Sequence, residues 1–103
     1  DDADIMANIY NCLGHADNIR EIFGHPIYIT SGYSCPELNK VIGGKPNSQH
    51  LRGEALDITS KSKEGNKKIF ESIVRCNCNV MYVSLCNVSS FVSINEKVVE
   101  KTL

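Results

Sequence analysis

The stretch from residue 48 to residue 57 decides how we interpret this chain, and it reads Ser48-Gln49-His50-Leu51-Arg52-Gly53-Glu54-Ala55-Leu56-Asp57. It places an imidazole, His50, in a loop and a carboxylate, Asp57, in the segment that the loop enters. Both are good zinc ligands, and a catalytic zinc takes three protein ligands and a water molecule. Gly53 allows the tight turn that two converging ligands need. A lone histidine and aspartate are more often a surface pair, so spacing alone does not establish a metal site.

The periodicity of apolar residues outside this stretch predicts an alternation of helices and strands. We expect helices at residues 4–13, 16–23, 36–42 and 63–75, and strands at residues 27–30, 55–59, 80–85 and 91–94. Gly14 and Gly24 are expected to end the first two helices. The last two strands are expected to form a hairpin across residues 87–90.

The same patterns predict which side chains point inward. The expected buried positions of the first two helices are Ile5, Met6, Ile9, Tyr10, Leu13, Ile19, Ile22 and Phe23. In the strand at residues 55–59, alternation puts Ala55, Asp57 and Thr59 on one face, so we expect Asp57 to face a cleft or solvent.

Composition indicates one small globular domain spanning residues 1–103, with 42% hydrophobic and 22% charged residues. A net charge of -1 provides no basic field for phosphate, which disfavours nucleic acid as a partner. No apolar run approaches the roughly 20 residues of a membrane span. The acidic start, with Asp1, Asp2 and Asp4, is not the pattern of a signal peptide. The compartment stays open.

The cysteines form an odd set without paired CxxC spacing, which indicates neither a disulfide framework nor a zinc knuckle. They are Cys12, Cys35, Cys76, Cys78 and Cys86. We expect them to be mainly reduced and buried, because a free cysteine behaves as a small hydrophobe. A metal or redox role for Cys76-x-Cys78 is the open alternative.

The motif Ser48-x-His50-x-x-Gly53-x-Ala55-x-Asp57 resembles the signature of the zinc D-Ala-D-Ala carboxypeptidase family, which includes endolysin-type peptidoglycan peptidases. The resemblance is close over residues 19–74, and its further motifs are Gly24-x-Pro26-Ile27, Ile29-Thr30-Ser31-Gly32-Tyr33, Pro36-Glu37-Leu38-Asn39, Gly43-Gly44 and Asn66-Lys67-Lys68-Ile69-Phe70. It implies an α+β fold of the hedgehog/DD-peptidase type, with helices packed on a small antiparallel sheet.

The resemblance also implies a set of site residues, several of which depart from the family. His50 and Asp57 match two zinc ligands, but Ser93 stands where the third ligand, a histidine, is expected. The catalytic Glu position falls near Val83 and Ser84, and neither is a carboxylate. Ser34 replaces a substrate-binding Arg. With Tyr33 and Ser48, Ser34 makes up the expected substrate-binding set.

Other residues offer poor replacements for the missing groups. No histidine follows His50 in the sequence, so realignment cannot supply the third ligand from the last strands. We expect His15 and His25 to be structural, and Glu54 to point away from Asp57. Cys86 is a weak substitute ligand, for which a buried thiol is the simpler interpretation.

Three functions stay open at this point. The first is a peptidase-like domain with an incomplete zinc site that binds a peptidoglycan stem or cross-bridge peptide, or a protein partner, without catalysis. The second is an active zinc peptidase that cleaves cell-wall peptides containing D-amino acids. The third is a structural module of a phage or cell-surface assembly. A bacterial or phage association follows from the resemblance alone.

Overall fold

The computed structural model describes residues 2–45, 47–76 and 81–97. Its elements are helix α1 (Asp2–Phe23), strand β1 (Tyr28–Ser31), helix α2 (Pro36–Val41), a 3₁₀ helix (Gln49–Arg52), strand β2 (Ala55–Thr59), helix α3 (Lys63–Arg75), strand β3 (Met81–Cys86) and strand β4 (Phe91–Glu96). The strands form one antiparallel sheet in the order β1-β2-β4-β3. Helices α1 and α3 pack on it. This confirms the predicted α+β class.

Helix α1 is continuous, so the predicted helix end at Gly14 is wrong. Cys12, Ala16 and Ile19 are all buried and recur at helical spacing on both sides of that position. A glycine inside a helix costs about 1 kcal/mol relative to alanine. Burial of this shared face outweighs that cost. The helix does end before Gly24, which has a φ of 77° and donates its N–H to the Arg20 carbonyl at 2.9 Å.

The inward face of α1 also differs from the prediction. Met6, Tyr10, Leu13 and Ile22 are exposed, Tyr10 by 68%. The buried stripe runs instead through Cys12, Ala16 and Ile19, and Phe23 packs against the same core. Two helices separated at Gly14 could each turn a different apolar face toward the sheet. A continuous helix can present only one face.

The core lies between the helices and the sheet. Ile58, Ile69 and Val92 are completely buried there, with Leu56 and Ile94 beside them. Because side chains alternate along a strand, Asp57 lies between two core residues of β2 and points to the opposite face. The site therefore forms on the face of the sheet that the core does not use.

The remaining predicted elements agree with the structure to within one or two residues, and α3 matches at both ends.

Val80 and Cys78 lie outside the described residues, so the Cys76-x-Cys78 alternative stays a prediction. The described cysteines are free: Cys12 is buried, Cys35 and Cys86 are intermediate and Cys76 is exposed. Within the described ranges, no helix has the length and hydropathy to cross a bilayer.

Asn66 in α3 is 1% exposed and connects three parts of the fold. Its Nδ2 donates to the Ser89 carbonyl at 2.8 Å, and its Oδ1 accepts from the Ser60 N–H at 2.7 Å. It thus joins α3 and the end of β2 to the turn between β3 and β4. That turn has positive φ angles at Asn87, Val88 and Ser89, of 48°, 53° and 66°.

Gly53, which follows the 3₁₀ helix, lies close to α1. It is buried and has a φ of 71°. A Cβ at this position would lie 2.7 Å from the side chain of Ile9 and 2.9 Å from the Ile5 carbonyl oxygen. Backbone conformation and packing therefore both require glycine here.

We expect Gly53→Ala to lower the free energy of unfolding by about 2 kcal/mol or more, because it adds left-handed strain and a clash with α1. Gly14→Ala is the matched control: a Cβ there meets nothing within 4 Å. It should raise stability by up to about 1 kcal/mol, since alanine favours the helix. Urea unfolding followed by circular dichroism measures both changes. Equal effects of the two substitutions would contradict the role assigned to Gly53.

Candidate functional site

A row of polar side chains crosses the sheet on the face away from the core. Asp57 in β2 pairs with Ser31 in β1 on one side and with Ser93 in β4 on the other. Ser93 in turn pairs with Ser84 in β3. Directly opposite residues of an antiparallel pair point to the same face. We call Ser31, Asp57, Ser93 and Ser84 the polar row.

The 3₁₀ helix brings His50 to this row. Ser48 precedes the helix, and its Oγ accepts a hydrogen bond from the His50 N–H at 3.2 Å. The backbone carbonyl of His50 accepts from the Ser34 N–H at 3.1 Å. The backbone N–H and the backbone carbonyl of His50 are thus both held by hydrogen bonds.

The imidazole ring of His50 lies between two acceptors. Its Nδ1 is 2.7 Å from the Gly32 carbonyl oxygen, and its Nε2 is 3.5 Å from Asp57 Oδ2. The side chains of His50 and Asp57 are only 20% and 17% exposed. A carbonyl that accepts from Nδ1–H directs Nε2 outward, as it does for histidines that bind metals. Here Nε2 faces the Asp57 carboxylate.

This arrangement favours the charged form of His50. The hydrogen bond with Asp57 raises the pKa of His50 above its ordinary value of 6.5, partial burial opposes the rise, and the Gly32 carbonyl adds to it. The two side chains form a close imidazole–carboxylate pair whose charged form is favoured, and we call it the His50–Asp57 pair.

A three-ligand zinc site does not fit the residues at this position. Ser93 lies directly opposite Asp57, and a neutral hydroxyl is not among the usual protein ligands of zinc. Its Oγ instead accepts a hydrogen bond from Asn95 Nδ2 at 3.3 Å. In the part of the chain that the structure describes, no three His, Cys, Asp or Glu side chains come together as a metal site. Cys86 thus does not complete a ligand set with the His50–Asp57 pair.

The two positions predicted for the catalytic Glu lie on different faces of β3. Val83 packs against the core, whereas Ser84 is exposed and belongs to the polar row. Only Ser84 shares a face with Asp57. It has a hydroxyl where a general base would need a carboxylate or imidazole.

The other candidate ligands have partners elsewhere. Glu54 pairs with Arg52. His25 packs edge-on against the Phe23 ring, with the ring centroids 5.3 Å apart. His15 lies in α1, where it lines a cavity with Ile19, Ile22 and Met81.

The predicted substrate-binding residues surround His50 in different ways. Tyr33 is 43% exposed and follows Gly32, whose carbonyl holds the His50 ring. Ser34 is 6% exposed, and its backbone N–H donates to the His50 carbonyl. Ser48 is half-buried and caps the 3₁₀ helix.

Sequence reasoning did not identify the Gly32 carbonyl or Ser31 as parts of the site. A backbone carbonyl leaves no mark in the sequence. The position of Ser31 depends on an irregular register between Ile29 and Ser31. The sequence signal for this part of the site is the alternation of polar residues along the strands. Alternation does not show which residues of neighbouring strands lie opposite each other.

Comparison with known proteins gives one finding. A family model described as Peptidase M15 matches residues 2–95. Comparisons with curated proteins and with solved structures found no match.

The His50–Asp57 pair predicts a pH dependence of stability. Because the pKa of His50 is raised above 6.5, the pair stabilises the fold below 6.5 and loses this effect as pH rises through the higher folded-state value. The stability difference between the native chain and Asp57→Asn should therefore shrink as pH rises from about 5 to about 9. Urea unfolding with a chelator present measures it. A difference that is constant or grows with pH would rule out the charged pair.

Proposed function

The chain belongs to the Peptidase M15 family, and from this premise we propose that it is a non-catalytic member that binds cell-wall peptides. The family match confirms the resemblance to the zinc D-Ala-D-Ala carboxypeptidases. Members of this family are in general zinc-dependent. In this chain the face of the sheet that carries Asp57 holds the His50–Asp57 pair and the polar row.

The observation that carries the proposal is the pairing of Ser93 with Asp57 across β2 and β4. A histidine at position 93 would point to the same face as Asp57, at a separation of about 5 Å between Cβ atoms. Serine at this position leaves two of the three protein ligands that a catalytic zinc takes. Ser84, which pairs with Ser93 in the polar row, has no carboxylate and therefore supports the loss of the general base.

The face of the sheet around the His50–Asp57 pair carries groups suited to holding a peptide. The hydroxyls of the polar row can donate and accept hydrogen bonds, and the His50–Asp57 pair lies next to them. Tyr33, which follows Gly32 in the sequence, offers an exposed aromatic surface. A peptidoglycan stem or cross-bridge peptide has the carboxylates and amides that such a surface recognises, and the family relationship favours it over an unrelated protein partner.

One observation favours retained zinc chemistry. Gly32 orients the His50 ring as a metal-binding histidine is oriented, with Nε2 directed toward Asp57. An active zinc peptidase would need a third ligand from outside the described residues or from another chain. It would also need a substitute for the general base, whose loss costs about 10²-fold or more in rate.

We expect zinc at background level in the native chain after dialysis against trace zinc, and close to one ion per chain in Ser93→His. The added imidazole would supply the third ligand next to Asp57. Elemental analysis gives both values. Adding His50→Ala to Ser93→His should remove the ion, and Tyr82→His, which adds an imidazole at an exposed position of β3, should not bind it.

Near-stoichiometric zinc in the native chain that disappears in His50→Ala would overturn the proposal in favour of an active enzyme. Background zinc in Ser93→His would show that position 93 does not reach the pair.

We expect the metal-free protein to bind a synthetic stem peptide that ends in D-Ala-D-Ala, and Tyr33→Ala to weaken binding about tenfold through loss of its aromatic contact. Isothermal titration calorimetry measures the affinity. Tyr10→Ala is the control, since Tyr10 is 68% exposed on α1. Absence of binding, or equal losses in both variants, would contradict a peptide site on this face of the sheet.

A further inference from the structure

The two edges of the sheet are built differently. The β1 edge is four residues long, its register with β2 is irregular, and Lys61 Nζ lies 3.9 Å from the centre of the Tyr28 ring. The β3 edge is six residues long and keeps an unbroken register with β4 from Met81 to Cys86. Short length and irregular pairing discourage strand pairing at β1. Strand β3 has neither feature, and a lysine lies over a tyrosine ring at both edges, since Lys97 Nζ is 5.0 Å from the centre of the Tyr82 ring.

The outer side of β3 has the chemistry of a strand-binding edge. Pairing with β4 uses only the backbone groups on one side of β3, and the outer groups can bond a further strand. Among the described strands, none pairs with this outer side. The sequence of β3, Met-Tyr-Val-Ser-Leu-Cys, contains no charge and no proline. These features favour an extended backbone as the group that covers this edge.

We propose that β3 pairs with β3 of a second copy of this chain, antiparallel about a two-fold axis normal to the sheet. The inference is independent of the proposed function. The pairing of the two β3 strands joins the two four-stranded sheets into one continuous sheet. Symmetric dimers of this kind use the same surface patch on both subunits.

A second copy fits this edge because β3 is complementary to itself. In an antiparallel self-pair each residue meets one from the same face of the sheet. Val83 and Leu85, which pack against the core, therefore meet one another, and Tyr82, Ser84 and Cys86 meet on the other face. No charged residue of β3 opposes its own copy, so electrostatic repulsion along the strand does not oppose pairing.

The dimer contact is small. A six-residue strand is about 20 Å long. Pairing of two such strands buries less surface than the roughly 1,200 Å² or more of a stable specific interface. We therefore expect reversible, concentration-dependent association. A two-fold axis normal to the sheet keeps both polar rows on one side, and each row ends at Ser84 beside the new interface. The two His50–Asp57 pairs would then open in the same direction.

Analytical ultracentrifugation over a wide concentration range tests the association. We expect a shift from monomer to dimer in the native chain and monomer throughout in Tyr82→Lys, because lysine on an edge strand opposes pairing. Ile29→Lys is the matched control on the other edge: Ile29 is 50% exposed and Tyr82 is 60% exposed. It should still dimerise. Circular dichroism checks folding, and Ser84→Lys serves as a second variant of the β3 edge.

Hydrogen exchange identifies the surface used. Amides of residues 81–86 should become more protected as concentration rises, while those of β1 should not. A monomer at all concentrations, or a dimer that persists in both β3 variants, would overturn the proposal. So would a dimer without added protection in β3. Protection of β3 in a monomer would instead show that another segment of the same chain covers the edge.

Discussion

The contact between Gly53 and helix α1 is the constraint on which the site depends. The turn at Gly53 connects the 3₁₀ helix, which carries His50, to β2, which carries Asp57. A side chain at position 53 would collide with Ile9, so the turn can lie this close to α1 only if residue 53 is glycine. The packing of the longest helix therefore determines where an imidazole meets a carboxylate on the opposite face of the sheet.

Hydrogen bonds from neighbouring residues hold the His50 segment and its imidazole in place. Ser48 caps the segment, Ser34 binds the His50 carbonyl and Gly32 accepts from the ring. These contacts are local to the first half of the chain, where the family motifs are concentrated. Ser84 and Ser93, which complete the polar row, lie in the last hairpin. The segment that holds His50 and the strands that complete the polar row thus come from different parts of the sequence.

The sequence predicted the elements whose local signals agree with their packing. Helix α3 and strand β2 have clear periodicity and clear ends, and both were placed correctly. The prediction divides helix α1 because a glycine is a strong local signal for a helix end. The continuous buried face of α1 forms only when the helix packs against the sheet. The meeting of His50 and Asp57 followed from the motif. The Gly32 carbonyl and the pairing of Asp57 with Ser93 depend on backbone position and register, which periodicity does not encode.

The connection made by Asn66 has a consequence for the order of folding. Three successive left-handed residues in the β3–β4 turn each cost on the order of 1 kcal/mol, so the isolated hairpin is poorly disposed to close. Asn66 offsets part of this cost by binding the Ser89 carbonyl, but only after α3 has formed and docked. The hairpin should therefore be completed late during refolding, with amide protection in β4 appearing after that in α3. The central strand β2 would acquire its partner β4, and Asp57 its neighbour Ser93, only in this final step.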